Sequence, residues 1–175
     1  MDKTVSGFLQ RNIPDFKDSF TVKFEERDKD FFSITAQNGK IHVKANNYIS
    51  AFHGIYCYLK EYCNVQLSWC ANQEIHISSL VMFDGEFHKE IEQKYRVYMN
   101  YCTLDYSMCW WDFERWEKEI DFMAMNGINM PLAVVGTEAV CYQTLLQYGY
   151  TKKEALDFIS GPAYSAWQLM TKIEG

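Results

Sequence analysis

Apolar and polar residues alternate in three runs near the start of the chain. Phe20, Val22 and Phe24 mark the first, Phe32, Ile34 and Ala36 the second, and Ile41, Val43 and Ala45 the third. A period of two lays one face of a strand on a core, so three strands are predicted. Asn38-Gly39 stands between the second and third runs. Both residues tolerate the positive φ of a type I′ turn, which predicts a hairpin. The period then lengthens. Ile49, Phe52, Ile55, Tyr56, Leu59 and Tyr62 recur three or four apart, the apolar stripe of a helix that packs on the sheet. Val65, Leu67 and Trp69, then Ile75 and Ile77, predict two further short strands. Residues 84–92 are polar around Gly85 and read as a connection between domains.

Beyond this connection the rhythm is strand, helix, strand. Tyr95 to Cys102 is rich in aromatic and β-branched residues and predicts a strand. Asp112 is placed to cap a helix with the stripe Phe113, Trp116, Ile120 and Met123, and Gly127 to close it. Ile128 to Val135 predicts the next strand. Short joints on both sides of the helix imply a parallel crossover. Pro131 lacks the N–H a ladder needs, so it is expected at a bulge or on an unpaired stretch. Glu138 to Tyr148 predicts a helix ended by Gly149. Thr151 and Glu154 form a capping box for a shorter helix that stops at Gly161-Pro162, and Ala163 to Met170 is helical again. The fold class is therefore α/β, with a small α/β domain over residues 1–88 and a parallel βα segment over 89–175.

Charge narrows the partners. The net charge of −6, without a basic run, excludes nucleic acid, since phosphate neutralisation needs a basic face. The longest apolar stretches, such as Asn129 to Val135, are far shorter than the roughly 20 residues a membrane span requires. The first residues lack the charged-then-apolar layout of a signal peptide, and the compartment stays open. Six cysteines include no Cys-x-x-Cys pair and no His at zinc-ligand spacing, so neither a metal nor a cofactor is expected. Cys57 and Cys63 fall on the helical stripe as small hydrophobes.

In parallel α/β architectures the reacting groups gather at the carboxyl ends of the strands. One such end presents Asn100, Cys102, Asp105, Tyr106 and the Trp110-Trp111 pair; the other presents Gly136, Thr137 and Glu138. Asn100 and Cys102 alternate on one strand and so share a face. Structural roles compete with this: Asn100 bonding a loop, Cys102 as an inert thiol, the tryptophans packing. Glu138 is favoured in a first helical turn by the helix dipole alone. Nothing in the spacing of Asp105 and Glu138 fixes their distance. His42, His53, His76 and His88 all fall in the first domain, which leaves Cys102 without a histidine to activate it.

Tyr95-Arg-Val-Tyr-Met-Asn-Tyr-Cys-Thr103 is followed by Tyr106-Ser107, Trp110-Trp111-Asp112, Arg115-Trp116-Glu117, Glu119-Ile120-Asp121 and Met125-Asn-Gly-Ile-Asn-Met130. Gly136, Glu138-Ala139, Gly161-Pro-Ala-Tyr164 and Ala166-Trp167 continue the series. This run resembles the α-N-acetylglucosaminidase family, glycoside hydrolase family 89, with residues 1–90 fitting its preceding α/β domain more loosely. Gly136-Thr-Glu-Ala139 departs from the more usual Gly-Gln-Glu-Ala, and Cys141 replaces a frequent aromatic. The resemblance implies a retaining exo-hydrolase that removes terminal α-linked N-acetylglucosamine, built on a (β/α)8 barrel with a helical domain after it. It implies that Asn100 and Cys102 line the sugar pocket, with Tyr106 and Glu138 as weaker candidates. Both catalytic glutamates are implied on later strands, so no catalytic residue is expected here. At about 31 residues per βα unit, residues 89–175 supply fewer than three. The chain is thus expected to be an N-terminal fragment with a truncated barrel, inactive alone. An open barrel edge predicts association into oligomers or aggregates. Family members are lysosomal, secreted or periplasmic. The competing class is a non-catalytic module that binds carbohydrate or protein through exposed aromatics.

Overall fold

The computed structural model describes residues 2–70, 74–100, 103–106, 108–133 and 135–159. They divide into two compact units: one runs up to Arg96 and includes Glu119–Asn129, and the other holds Val97–Lys118 and the chain from Met130 onward.

The first unit opens with helix α1 (Lys3–Asn12), whose N-terminal amides are capped by Asp2; its Oδ1 accepts from Thr4 at 2.8 Å and Val5 at 3.3 Å. This helix is absent from the sequence reading, although Val5, Phe8 and Leu9 after an Asp carry its signal. Strands β1 (Phe20–Phe24), β2 (Asp30–Gln37) and β3 (Lys40–Ala45) follow, then helix α2 (Tyr48–Cys63) and strand β4 (Phe83–Ile91). The sheet order is β1-β3-β2-β4, with β1 parallel to β3 and the other pairs antiparallel. The β2–β3 hairpin turns at Asn38 and Gly39, with φ of 51° and 72°. Alternation is realised side chain by side chain: Phe32, Ile34, Ile41 and Val43 are buried together with Ile55 and Leu59 of α2. Gly54 lets that helix approach closely, since a Cβ there would lie 2.8 Å from the Phe32 side chain.

Two expectations fail in this unit, for physical reasons. Residues 84–91 are not a connection; they lie within β4, and Glu92 follows its end. Phe87 opposes Ile34 and Phe83 opposes Ala36, and the register shifts between these pairs, around Gly85 at φ 87°. The bulge spaces inward aromatics four apart and hides the alternation. The strands expected at Val65–Trp69 and Ile75–Ile77 do not form among the described residues. In the first of these segments Leu67 N–H turns to α2 instead, donating to the Tyr56 hydroxyl at 3.2 Å, and further along Tyr58 Oη of α2 donates to the Val81 carbonyl at 2.9 Å.

Strands β5 (Val97–Tyr98) and β6 (Met130–Pro131) of the second unit pair in parallel; the chain between them forms helix α3 (Phe113–Met125), whose residues from Glu119 onward belong to the first unit, and α4 (Thr137–Gln147) and α5 (Lys152–Phe158) follow β6. Both strands are far shorter than the sequence predicts. Pro131 pairs with Tyr98 without a shift of register, and the ladder bond there is made by Leu132 N–H to the Tyr98 carbonyl at 3.0 Å. Successive N–H groups of a strand point to opposite sides, so the N–H that Pro131 lacks lies on the side turned away from β5.

Helix α3 ends as expected. Gly127 has φ 73°, its N–H reaches the Ala124 carbonyl at 3.0 Å, and Ile128 N–H reaches the Met123 carbonyl at 2.9 Å. Its buried face is the surprise. Phe113 and Ile120 are exposed, while Glu119 and Asp121 are buried with Met123 and Ala124. Asp121 receives a fork from Arg11, 2.7 Å from Nε and 2.8 Å from Nη2, and a further bond from Asn12. Glu119 accepts the Trp69 indole N–H at 3.0 Å. Carboxylates enter a core only with such partners.

Candidate carbohydrate site

The residues of interest leave one edge of the β5–β6 pair. In a parallel pair both carboxyl ends point the same way, so Asn100, just past β5, and Glu138, in the segment after β6, belong to the same edge. Met99 precedes Asn100 with φ 70°, a left-handed conformation that is uncommon outside glycine. Strain of this kind gathers at functional sites. It delivers Asn100 into a tight turn: Asn100 Oδ1 accepts from Thr103 N–H at 3.2 Å, and Thr103 Oγ1 donates to the Asn100 carbonyl at 2.7 Å. A 3-10 turn, Thr103–Asp105, starts there.

Tyr106 N–H closes that turn on Thr103, and the Tyr106 carbonyl accepts from the Cys109 thiol at 3.0 Å, so backbone bonds fix the position while the ring stays exposed. After a second 3-10 turn, Met108–Trp110, the two tryptophans diverge. Trp111 meets Trp116 edge-on at 5.0 Å and carries the Arg115 guanidinium 3.9 Å above its ring. Trp110 is 74% exposed. Only the latter offers a free apolar face of the type sugars stack on. Asp112 Oδ1 caps α3 by accepting from Arg115 N–H at 2.8 Å, as the sequence predicts.

Glu138 lies in the first turn of α4, behind Gly136 at φ 76°. It is half-buried, at the positive end of the helix dipole. Cys102 lies outside the described residues, and so does the Gly161–Trp167 part of the sequence pattern. Among the described residues no three His, Cys, Asp or Glu side chains gather to hold a metal, and no helix is long and apolar enough to cross a membrane.

A contact unforeseen in the sequence lies in the first unit. His53 and Cys57, one turn apart on α2, approach to 3.6 Å between Nε2 and Sγ, and His53 Nδ1 is 2.8 Å from the Met125 carbonyl. Burial pushes the Cys57 thiol up, against the pull of Lys89 and Lys60. A thiol held protonated is no nucleophile. The pair packs the core.

Comparison with known proteins gives a consistent result. Residues 96–175 match the model described as "Alpha-N-acetylglucosaminidase (NAGLU) tim-barrel domain", and residues 3–80 match that of the corresponding N-terminal domain. Human alpha-N-acetylglucosaminidase is 38% identical over 131 residues, 75% of this chain and 18% of that protein. A family 89 glycoside hydrolase from Clostridium perfringens, solved in complex with 2-acetamido-1,2-dideoxynojirmycin, superimposes with a TM-score of 0.84 at 33% identity, over 94% of this chain and 19% of that one. The same figures hold for its complex with the substrate GlcNAc-alpha-1,4-galactose. The chain thus spans less than a fifth of the length of these relatives.

Proposed function

The chain belongs to the α-N-acetylglucosaminidase family of glycoside hydrolases, and from that premise we propose that the whole protein removes terminal α-linked N-acetylglucosamine from glycans with retention of configuration. Residues 1–88 serve as the N-terminal α/β domain and residues 89–175 as the opening of the catalytic barrel. The division falls in the interval between the two matched family domains. β4 carries the first domain's sheet three residues past that division, through Ile91.

Retaining hydrolysis uses two carboxyl groups about 5–5.5 Å apart, one attacking the anomeric carbon and one handing a proton to the leaving oxygen. We assign neither to this chain. Its contribution is binding: Asn100 and Cys102 contact the sugar, with Tyr106 and Glu138 beside them on the rim. The observation that carries this assignment is the carboxyl edge of β5–β6, where a left-handed Met99 delivers Asn100.

The test is release of a chromogenic aglycone from an α-N-acetylglucosaminide. The full-length protein should release it, and the 175-residue chain alone should not exceed a heat-killed control. Turnover by the short chain would place the carboxylates inside it; inert full-length protein would sink the glycosidase assignment. Asn100→Ala in the full-length protein should raise KM and lower kcat/KM. The exposed Trp110 supports a second reading, a non-catalytic binding module. Saturable quenching of tryptophan fluorescence by N-acetylglucosamine in the short chain would favour it.

A further inference from the structure

We propose that Arg96 is a positioning residue for this sugar site, fixing the register in which β5 and β6 run toward the edge that carries Asn100 and Glu138. The proposal rests on the glycosidase reading for its kinetic consequence and on the geometry alone for its structural one.

The β5–β6 ladder has too little of its own to hold register. It consists of two pairs, Val97 with Met130 and Tyr98 with Pro131. A slip of one residue would turn every side chain to the opposite face. The bonds that forbid the slip lie at the entrances to the two strands. Arg96 N–H donates to Asn129 Oδ1 at 2.9 Å, Asn129 N–H donates to the Arg96 carbonyl at 3.3 Å, and Asn129 Nδ2 donates to the Lys94 carbonyl at 2.9 Å. The residue before β5 and the residue before β6 are thus tied to each other by both backbone and side chain.

The Arg96 guanidinium then anchors this knot. Its Nε donates to the Gly127 carbonyl, just past the end of α3, and its Nη1 to the Gln93 carbonyl at 2.7 Å. Its Nη2 meets Asp30 Oδ2 at 2.7 Å, with both side chains largely buried. Asp30 is itself held from the other side, its Oδ1 accepting from Asn46 at 3.1 Å and Asn47 at 2.7 Å. Asn47 also caps α2. One planar fork therefore joins the sheet of the first unit, Gly127 at the C-terminal end of α3 and the residue that precedes β5. A lysine carries a point charge and cannot address these three directions at once.

The test is steady-state kinetics of the full-length protein on a chromogenic α-N-acetylglucosaminide, with Arg96→Gln, Arg96→Lys and the milder Asp30→Asn. For Arg96→Gln, kcat/KM should fall about tenfold to a hundredfold, mostly through KM, because a misplaced binding group weakens sugar contacts. Arg96→Lys should not restore KM, and Asp30→Asn should raise it by a smaller factor. A residue that mattered only for folding would lower the active fraction, and so kcat, and leave KM unchanged. An unaltered KM in Arg96→Gln, or rescue by Arg96→Lys, overturns the proposal. Should the wild-type protein lack glycosidase activity, hydrogen exchange decides on the same variants: faster exchange of the Asn129 and Leu132 amides in Arg96→Gln supports the register role, and unchanged exchange overturns it.

Discussion

Among the described residues the first unit buries most of its large apolar side chains, whereas the second leaves many of its own exposed. Phe8, Phe20, Phe32 and Tyr58 lose nearly all their surface between the four-stranded sheet and its helices, and Phe8 stacks on Phe52 at 4.0 Å. In the second unit Phe113, Val140 and Tyr148 are all more than 60% exposed, and α4 buries no residue. Composition does not explain the contrast, since both units are aromatic-rich. The difference is in partners. A four-stranded sheet with a helix on one face closes a core, whereas two paired strands of two residues each offer almost no surface to pack on. The first unit is therefore where stability should reside.

Matched substitutions are the strongest way to break that contrast. Phe32→Ala should destabilise by about 3–5 kcal/mol, the usual cost of emptying an aromatic site in a core. Phe113→Ala, the same chemical change at a position 76% exposed, should stay within about 0.5 kcal/mol. Denaturant unfolding followed by tryptophan fluorescence gives both numbers, and equal effects would erase the distinction. Charge provides the second contrast. Arg11→Ala strands the buried Asp121 carboxylate and should cost about 3 kcal/mol. Lys118→Ala removes an exposed partner of Glu114 at 3.2 Å and should cost less than about 0.5 kcal/mol.

The same contrast governs what could be seen in the sequence. Alternation at Phe32-Ile34-Ala36 and the Asn38-Gly39 turn are local, and the hairpin they imply forms residue for residue. The caps at Asp112, Gly127 and Thr151 are local too. The inner face of α3 was not legible, because Asp121 is buried by an arginine 110 residues away and Glu119 by a tryptophan 50 residues away. A helical wheel assigns carboxylates to solvent and cannot know of those partners. Likewise β4 was hidden by a bulge, and the strand lengths beyond Tyr95 were overestimated because ladder length depends on neighbouring strands as well as on propensity. At the candidate site, Asn100 was legible as a polar residue ending an apolar strand, but the left-handed Met99 was not. Arg96 was missed because an arginine entering a strand looks like a solvated charge until Asp30 and Gly127 are placed against it.

A smaller effect probes the second unit where it is best ordered locally. Thr151 Oγ1 accepts from Glu154 N–H at 3.3 Å, and the Glu154 carboxylate returns a bond from Thr151 N–H at 2.8 Å. Thr151→Ala should cost α5 about 1 kcal/mol. The loss should show as faster amide exchange within Lys152–Phe158 and leave the denaturation midpoint of the first unit unmoved. A shifted midpoint would mean that the two units unfold together.

The smallest expected effect is in pH, and its sign separates the units again. Burial pushes the His53 imidazole down, and Lys89 and Arg96 push the same way, against the hydrogen bond to the Met125 carbonyl that favours the charged ring. The unfolded chain therefore takes up this proton first as pH falls. The stabilisation is complete above the ordinary histidine value of about 6.5 and is lost as pH drops through it toward the lower folded value. Glu154 in the second unit behaves as an ordinary capping carboxylate, held low by the Thr151 hydroxyl and N–H, so its contribution persists until well into the acid range. On acidification the first unit should begin to weaken near neutrality while α5 remains intact. His53→Gln removes the titrating group, and its stability should fall less steeply than wild type between pH 7 and pH 5. Parallel slopes would show that His53 is not kept neutral by its surroundings, and the pH response of the first unit would then have to come from its carboxylates.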